Sequence, residues 1–429
     1  MSEAPKPLKL AIAGLGTVGG GVLALLAAQS ELLAVRSGRT FTVVAASART
    51  TRDTLPQGCA FFADARAMAT QADYDVLVEL IGGDGIALDI VTTALERGKH
   101  VVTANKAMIA HHGLALARLA EAKGVTLGYE ASVAGAIPII KTLKEGLAAN
   151  RVVRVMGILN GTCNYILTTM QSTGRDFADV LAEAQALGYA EADPTFDVDG
   201  IDTAHKLSIL AGLAFQAPVD IAAVTTEGIR PVSALDIQFA GELGYRIKLL
   251  GVAERTDGGV STAVYPAMVP MSLPLAHVDG VFNAVVTESD FAGRTVMEGR
   301  GAGAYPTASA VVADLVDIAR GAKGPVFGVA ADALAPIAPL PPAQRRGGCY
   351  IRLTVKDEPG VLADIAGALR DEHISMEQVL QRTRAPSSTV PVVLILHETD
   401  EGSLKRAIDR IAALPSVSER PTPIRIIAG

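Results

Sequence analysis

The chain has 429 residues, of which 49% are hydrophobic and 19% charged. This length and composition predict roughly two to four folded domains and disfavour a disordered chain. The formal net charge of -7 and the lack of a long Lys/Arg run disfavour nucleic acid as a partner. The three cysteines lie far apart and form no CxxC pair, which is typical of a reducing compartment. We therefore expect a cytoplasmic protein, and since no uninterrupted run of about 18 apolar residues exists, we expect no membrane span.

The first third of the chain alternates between short apolar runs and helical patterns. An apolar run at Leu8–Ala13 precedes glycines and a second apolar segment at 22–28, and the apolar residues of Ile86–Glu96 have helical spacing. Strands that alternate with helices predict βαβ units and a doubly wound parallel sheet in an α/β fold. The predicted strands are Leu8–Ala13, 40–46, 75–81 and His100–Thr103.

The pattern changes after about residue 135. An amphipathic helix at 177–187 and an alternating run at 259–268 indicate a separate α+β domain at 136–304. A helical segment at about 305–322 is expected to pack back onto the first domain, 1–135, and to complete it. The Ala- and Pro-rich segment 331–348 is interpreted as a linker of limited flexibility.

The segment 349–429 has the strand and helix order β-α-β-β-α-β. Its predicted strands are 350–355, 374–382, 389–397 and 423–427, and its predicted helices are 360–370 and 402–413. This order is the ferredoxin-like one. We therefore predict a small C-terminal domain of that fold.

The first chemical motif is a GxGxxG sequence at 14–19, after a predicted strand and at the start of a helix. Gly14, Gly16 and Gly19, with Thr17 and Val18 between them, allow a tight turn and a close approach of backbone N–H groups to a pyrophosphate. This context predicts a Rossmann-type dinucleotide site. A structural glycine turn without a ligand is the alternative.

The end of the second predicted strand bears on cofactor choice. The strand runs into Ser47-Ala48-Arg49-Thr50, with Arg52 nearby, and no acidic residue stands at its tip. An acid there is typical of NAD sites, whereas Arg49 is suited to the 2′-phosphate of NADP. We favour NADP, with NAD use left open. A solvated arginine is the other interpretation.

Two further segments contain lysine. Lys106 follows the predicted strand His100–Thr103, where ligands of open parallel sheets bind, although a single lysine there is more often a surface residue. Segment 188–206 contains five carboxylates and then Lys206, which is four residues after Asp202 and on the same helical face. This segment could be a solvated loop with a surface ion pair, a calcium loop or a substrate site. The spacing does not fit an EF-hand.

Taken together, these motifs resemble the homoserine dehydrogenase family, and they occur in the family's order over most of residues 1–320. The matching segments are GLGTVGGGV at 14–22, VVTANK at 101–106, ASVAGAIPII at 131–140, LNGTCNYIL at 159–167, GYAEADPTFDVDGIDTAHKL at 188–207 and GAGAYPTASAVVAD at 301–314. The segment VKDEPGVLADIAGAL at 355–369, followed by HISMEQV, resembles an ACT domain.

The resemblance implies an activity. Members of the family interconvert L-aspartate 4-semialdehyde and L-homoserine with NAD(P)H, in threonine, methionine and isoleucine biosynthesis. By resemblance, Lys206 is the proton donor and Lys106 lies between the substrate and the nicotinamide. Asp202 belongs to the same catalytic group.

The resemblance also assigns binding residues. It implies that the substrate is bound by Glu191, Asp197, Asp202, Gly161 and Thr162, and that Gly303 contacts the cofactor. Backbone carbonyls near Glu130, Val133, Gly135 and Ile137 match a monovalent-cation site, usually sodium. Cys163 departs from the family, which usually has Thr or another small residue there, and we expect no functional consequence.

The ACT resemblance implies an amino-acid effector. The ligand of such domains is usually bound against the loop after the first strand, here Asp357, Glu358, Gly360 and Val361, where a helix start offers N–H groups to a carboxylate. L-threonine is the expected feedback inhibitor. A domain that only dimerises the chain is the alternative, and the family implies a homodimer or a homotetramer.

Two rival functions are weighed against this one. A phosphorylating aldehyde dehydrogenase, such as aspartate-semialdehyde dehydrogenase, requires a cysteine nucleophile with a base. Cys163 is the only candidate within a motif, and no histidine pairs with it recognisably. A non-catalytic regulator that binds NAD(P) and an amino acid is disfavoured because binding alone does not require two lysines at a nicotinamide.

Overall fold

The computed structural model describes residues 6–50, 55–381 and 389–428. The chain forms two compact units, each built from three segments. The first contains Met1–Gly161, Asp202–Val224 and Val281–Ile337, and the second contains Thr162–Ile201, Thr225–Gly280 and Ala338–Gly429. Because each unit combines segments from more than one expected domain, the domain boundaries expected from the sequence stay predictions. Arg52, Arg382 and Gly429 lie outside the described residues.

The described residues form strands and helices throughout the chain. The strands are β1 (Leu8–Ala13), β2 (Phe41–Ser47), β3 (Ala60–Phe62), β4 (Val76–Glu79), β5 (His100–Thr103), β6 (Leu127–Gly128), β7 (Val152–Ile158), β8 (Thr225–Thr226), β9 (Tyr245–Thr256), β10 (Gly259–Pro270), β11 (Phe282–Ser289), β12 (Gly293–Arg300), β13 (Arg346–Lys356), β14 (Met376–Gln381), β15 (Thr389–Asp400) and β16 (Thr422–Ile426). The helices are α1 (Thr17–Ala28), α2 (Ser30–Ser37), α3 (Ala65–Gln71), α4 (Ile86–Glu96), α5 (Lys106–Lys123), α6 (Ile139–Lys141), α7 (Gly161–Thr173), α8 (Phe177–Ala186), α9 (Thr195–Val198), α10 (Ile201–Phe215), α11 (Ala234–Glu242), α12 (Ala304–Arg320), α13 (Val361–Asp371) and α14 (Glu401–Ala412).

The first unit contains a six-stranded sheet in the order β3-β2-β1-β4-β5-β6. Every pairing in it is parallel, and β1 and β4 are almost entirely buried, as expected for strands covered on both faces. This strand order is that of the Rossmann fold and confirms the predicted fold class. Helices α1 and α12 pack together on the sheet, with Val22, Val311 and Leu315 in a shared core. The same unit holds the antiparallel strands β7, β11 and β12.

The second unit contains a mixed sheet in the order β9-β10-β16-β13-β15-β14. Strands β9 and β10 form a long hairpin, and the two-residue strand β8 pairs with β10 at Ala263 and Val264. Strand β16 pairs in parallel with the same edge of β10 further along, at Ala267 and Met268. The C-terminal strands and helices are thus part of one sheet with the β9–β10 hairpin.

The C-terminal segment has the predicted β-α-β-β-α-β order, and its own core is apolar. Ile351 and Leu353 of β13 pack with Ile365 of α13 and Ile408 and Ile411 of α14. Helix α14 presents a strongly one-sided apolar stripe, which is why its position was evident in the sequence.

The predicted linker 331–348 needs a correction at its end. Strand β13 begins at Arg346, and Arg346 and Gly347 pair with β15 while Gly348 pairs with β16. The Ala and Pro content of the segment concealed this pairing, which depends on residues far away in the sequence. Ala338 is also held, since its carbonyl accepts the N–H of Val260 at 3.0 Å.

Among the described residues, no single helix is long and apolar enough to cross a membrane. Helices α1 and α2 reach the required length and composition only together, and they are bent by 79°.

Candidate active site

Two lysines contact one carboxylate in the first unit. Lys106 Nζ lies 2.9 Å from Asp202 Oδ1, and Lys206 Nζ lies 2.8 Å from Asp202 Oδ2. Lys206 also donates to the carbonyl oxygen of Leu159 at 2.8 Å, and Asn160 Nδ2 donates to Asp202 Oδ2 at 3.0 Å. The structure thus brings together the three residues assigned to catalysis.

The backbone around Lys106 positions its side chain. Lys106 is the first residue of α5, which Asn105 caps by accepting the N–H of Met108 at 3.1 Å. The preceding strand β5 ends at Thr103, whose hydroxyl donates to the buried carboxylate of Glu79 at the end of β4. Because β4 and β5 are parallel neighbours, their carboxyl ends meet at one edge of the sheet, where such folds bind ligands.

The Asp202–Lys206 pair is not a surface ion pair. Both residues lie in the first turns of α10, and the side chains are only 6% and 10% exposed, while that of Lys106 is 32% exposed. Burial alone would raise the pKa of Asp202, but the charges of Lys206 and Lys106 and the hydrogen bonds from Lys206 and Asn160 hold it well below its usual value. The solvated-loop interpretation is therefore wrong for this pair.

Several residues of this site were not singled out from the sequence. Asn160 and the Leu159 carbonyl belong to the LNG motif, and Glu79 accepts the N–H groups of Ile81 and Gly82 at 2.7 and 2.9 Å. The only sequence signal for Asn160 was its place in a matching motif. Its contact with Asp202, 42 positions away, is a tertiary one.

The glycine-rich turn between β1 and α1 fits a dinucleotide. Gly14 has a φ of +102°, and a Cβ there would lie 2.6 Å from the Leu80 carbonyl oxygen. A Cβ on Gly19 would lie 2.1 Å from the Gly14 oxygen, so this glycine lets α1 pack closely. At Gly16 a Cβ would meet no atom within 4 Å, which leaves open space before the N-terminus of α1. Open space at the second glycine is what a pyrophosphate requires.

The other cofactor residues expected from the sequence also lie in the first unit. Arg49 is exposed two residues after β2, and Ser47 and Ala48 are the residues at the strand end. Thr17 and Val18 begin α1. Gly303, with a φ of +122°, precedes α12.

The segment 130–141, which contains the expected cation site, is held by carboxylates. The Glu130 carboxylate accepts the N–H groups of Ile140 and Lys141, both at 2.9 Å, and the N–H of Glu130 donates to Asp314 Oδ2 at 3.0 Å. Burial, together with the charge of Asp314, raises the pKa of Glu130 to about 7. Asp314 was not identified from the sequence.

The backbone carbonyl oxygens of this segment are the groups that remain to bind a cation. Gly135 has a φ of +55°, and a Cβ there would lie 2.5 Å from the Gly301 carbonyl oxygen. The Ile137 carbonyl accepts the N–H of Ile139 at 2.8 Å, and Val133 is buried. Carbonyl oxygens suit a hard cation. No cluster of three or more His, Cys, Asp or Glu side chains able to hold a metal occurs in 6–50, 55–381 and 389–428.

The acidic segment of the second unit is ordered by its neighbours. Gln185 Nε2 donates to the carbonyl of the exposed Glu191 at 3.0 Å, and Thr162 Oγ1 donates to the Tyr189 carbonyl at 2.7 Å. Asp197 lies in α9, and its carbonyl accepts from Cys163 Sγ at 3.2 Å. Gly161 begins α7, just before Thr162.

The expected effector loop connects β13 to α13. Asp357 is half-buried and Glu358 exposed, and the N–H of Glu358 donates to the Lys356 carbonyl at 3.0 Å. Gly360 precedes α13 with a φ of +97°, and Val361 is buried as its first residue. The helix start thus lies at the loop, as predicted.

Comparisons with known proteins agree over almost the whole chain. Residues 14–130 match the family described as "Homoserine dehydrogenase, NAD binding domain", residues 138–316 match "Homoserine dehydrogenase", and residues 350–416 match "ACT domain". A homoserine dehydrogenase of Pseudomonas aeruginosa is 46% identical over 98% of this chain and 99% of its own length.

Solved structures are similar as well. A homoserine dehydrogenase from Thiobacillus denitrificans has a TM-score of 0.93 and 43% identity, over 98% of both chains. A hyperthermophilic archaeal homoserine dehydrogenase, solved in complex with NADPH, has a TM-score of 0.63 and 26% identity, over 73% of this chain and 97% of its own.

Proposed function

This chain belongs to the homoserine dehydrogenase family of oxidoreductases, and we propose that it reduces L-aspartate 4-semialdehyde to L-homoserine, and catalyses the reverse, with Lys206 as the proton donor. The observation that supports this most directly is the buried contact of Asp202 with both Lys106 and Lys206. A carbonyl reduction needs a positioned cation for the developing alkoxide and a proton for its oxygen, and two lysines can supply both.

Each residue of this group has a distinct task in the proposal. Lys206 Nζ donates the proton to the substrate oxygen. Within the described part of the chain, its hydrogen bonds to the Leu159 carbonyl and to Asp202 use two of its three donors, which leaves one for a substrate. Lys106 lies between the substrate and the nicotinamide, and Asp202 orients both ammonium groups. Asn160 holds the Asp202 carboxylate from a further direction.

We propose NADPH as the preferred cofactor. When bound, it supplies the hydride for the aldehyde carbon. Gly14, Gly16 and Gly19 leave room for its pyrophosphate before α1, and Arg49 is suited to its 2′-phosphate because no acid ends β2. The NADPH complex of the archaeal relative supports this choice. Thr17, Val18, Lys106 and Gly303 complete the proposed cofactor contacts.

Substrate binding is assigned to residues of the acidic segment and the LNG motif. We propose that Glu191 and Asp197 receive the substrate's ammonium group and that Gly161 and Thr162 contact its polar atoms. Asp202 belongs to this set as well as to the catalytic group. Carboxylates are the natural partners of a cationic amino group.

A bound monovalent cation, sodium by family resemblance, is proposed at the backbone carbonyls of Glu130, Val133, Gly135 and Ile137. The Glu130 carboxylate is already engaged by two backbone N–H groups, so the proposed ligands are carbonyl oxygens. The cation would stiffen the segment between β6 and α6.

The ACT domain implies a small-molecule effector, and L-threonine is the one we propose. Its carboxylate would meet the N–H groups at the start of α13, near Asp357, Glu358, Gly360 and Val361. We also propose a homodimer or homotetramer in the cytoplasm. The location is supported by the lack of a disulfide among Cys59, Cys163 and Cys349.

The test is oxidation of NADPH and of NADH, followed by absorbance, with L-aspartate 4-semialdehyde and with or without L-threonine. We expect turnover when the reduced cofactor and L-aspartate 4-semialdehyde are both present. The kcat/KM should be higher with NADPH than with NADH, and the rate should be lower with L-threonine than without it. Arg49→Gln should reduce the NADPH preference and leave the NADH rate unchanged. No turnover with either cofactor would refute the activity, whereas turnover indifferent to threonine would refute only the effector.

A further inference from the structure

Arg425 joins the C-terminal strand β16 to a segment that precedes α11. Its guanidinium donates two hydrogen bonds of 2.8 Å to the two carboxylate oxygens of Glu227 and a third, of 2.6 Å, to Glu401. The guanidinium carbon also lies 4.6 Å from the ring centre of Tyr265. The Arg425 side chain is 24% exposed. A bidentate arginine–carboxylate pair is the ion-pair geometry that contributes measurably even near a surface.

Glu227 is itself fixed in the sheet. It follows directly after β8, and its N–H donates to the Val264 carbonyl at 2.7 Å. The Glu227 side chain is 55% exposed; partial burial would raise the pKa of its carboxyl, but the hydrogen bonds and charge of Arg425 lower it. The backbone of Glu227 is therefore held by β10, and its side chain is held by β16.

The residues after Glu227 touch the segment that contains Asp197. The N–H of Ile229 donates to the Val198 carbonyl at 2.9 Å, and a Cβ on Gly228 would lie 2.3 Å from the same oxygen. Arg230 Nε donates to Asp199 Oδ1 at 2.5 Å. No side chain separates the two backbones at Gly228, so a shift of one segment is transmitted to the other.

We propose that Arg425 is a positioning residue for the reaction: through Glu227 it holds segment 195–200, and with it Asp197, in the geometry that binds substrate. In this proposal the C-terminal domain helps to hold the substrate-binding segment 195–200 in place, in addition to sensing an effector. This inference rests on the proposed function, because the assignment of Asp197 to substrate is part of that proposal.

The test compares Arg425→Gln, Glu227→Gln and the double variant in the full-length protein. Each should raise the KM for L-homoserine about fivefold, the lower end of the range for coupled sites, with kcat changed less than about twofold. The double variant should be no worse than Arg425→Gln alone, because both substitutions remove the Arg425–Glu227 contact. Arg425→Lys should recover part of the loss, since it keeps the charge without the bidentate geometry.

Arg420→Gln is the matched control, because Arg420 is 61% exposed and pairs with Asp409 within the C-terminal domain. Its KM should equal that of the wild type. A normal KM in both Arg425→Gln and Glu227→Gln, or additive losses in the double variant, would overturn the proposal.

A second readout does not depend on activity. Backbone amide hydrogen exchange at Ile229 and across 195–200 should be faster in Arg425→Gln than in the wild type and Arg420→Gln. The melting temperatures of the three proteins should be equal. Unchanged exchange there would overturn the positioning role. If the wild type lacked turnover while exchange changed as expected, the proposed function would fail and the coupling of the two segments would stand.

Discussion

Asp202 Oδ2 and Lys206 Nζ are 2.8 Å apart, one helical turn from each other on α10, and both side chains are almost fully buried. A buried ion pair of this kind is expensive to form, since both charges leave water. It is tolerated here because further groups complete it: Lys106 and Asn160 on the carboxylate, and the Leu159 carbonyl on the ammonium. In the proposed function, Lys206 is therefore a buried ammonium group whose position is fixed by Asp202 and by the Leu159 carbonyl.

Replacing either lysine should lower turnover strongly. Lys206→Met removes the proposed proton donor, so kcat should fall about 10²–10⁴-fold. Lys106→Met should lower kcat/KM by a similar factor and raise the KM for substrate. Steady-state assays at pH 7–9, with NADPH binding followed by fluorescence, measure both effects.

Lys123→Met provides the control, since Lys123 is exposed at the last turn of the helix that Lys106 begins. It should retain wild-type turnover. Near-normal kcat in Lys206→Met would exclude it as the proton donor.

Asp202→Asn should change both stability and its pH dependence. The folded-state pKa of Asp202 lies below the unfolded value of about 3.9, so the ionised carboxylate stabilises the fold above that pH and the contribution is lost as the pH falls. At pH 7 the variant should have a free energy of unfolding lower by about 3–5 kcal/mol, because it leaves the buried ammonium of Lys206 without a carboxylate partner. The difference in free energy of unfolding between wild type and variant should narrow by about 1 kcal/mol between pH 7 and pH 3. Urea unfolding across this range measures the gap, and a constant gap would contradict the assignment.

Substitutions at the glycines of the β1–α1 turn should affect cofactor binding and folding stability separately. Gly16→Ala introduces a Cβ into open space at an ordinary φ of -68°, so the melting temperature should hardly change. The KM for NADPH should rise about tenfold or more, since the methyl group occupies the space proposed for the pyrophosphate, a contact worth about 1.5–3 kcal/mol.

Gly19→Ala should behave in the opposite way. Its Cβ would meet the Gly14 carbonyl oxygen at 2.1 Å, a backbone atom that cannot move freely. The variant should lose about 1–3 kcal/mol of stability or more. If Gly16→Ala bound NADPH as tightly as the wild type, the cofactor would have to lie elsewhere.

Thiol alkylation should leave activity intact. Cys163 and Cys349 are buried and therefore inaccessible to a reagent in the folded protein, and burial also raises the pKa of Cys349 to about 12. Iodoacetamide at pH 8 should modify the half-buried Cys59 first and the other two only after unfolding, as peptide mass spectrometry would detect. Cys163→Ser should keep turnover close to that of the wild type, because no step of the proposed reaction uses this thiol. Inactivation in proportion to labelling of Cys163 would favour the cysteine-dependent aldehyde dehydrogenase instead.

Elements with a strong local pattern could be predicted from the sequence. The bounds of β1, α4 and β5 agree with the prediction, because apolar runs of strand length and helical periodicity are local signals. The ferredoxin-like order of the C-terminal segment was evident for the same reason. Arg382, at the end of one predicted strand, lies outside the described residues.

Features that depend on distant residues could not be predicted. The three-residue strand β3 and the two-residue strand β8 have too little periodicity to be recognised. The sequence placed Asp202 and Lys206 on one helix face, but their burial and the contribution of Asn160 depend on packing between separate segments. For Glu191 and Asp197, the assignment to substrate stays a prediction.

The parallel pairing of β16 with β10 has a consequence for how the protein is made. Ribosomes release β10 long before β16, so the edge at Ala267 and Met268 stays without its strand while residues 271–421 are synthesised. An uncovered strand edge is a template for pairing with another chain. The second unit therefore completes its fold only once residues 422–426 have emerged, which makes nascent chains stalled before that point the species most prone to aggregate.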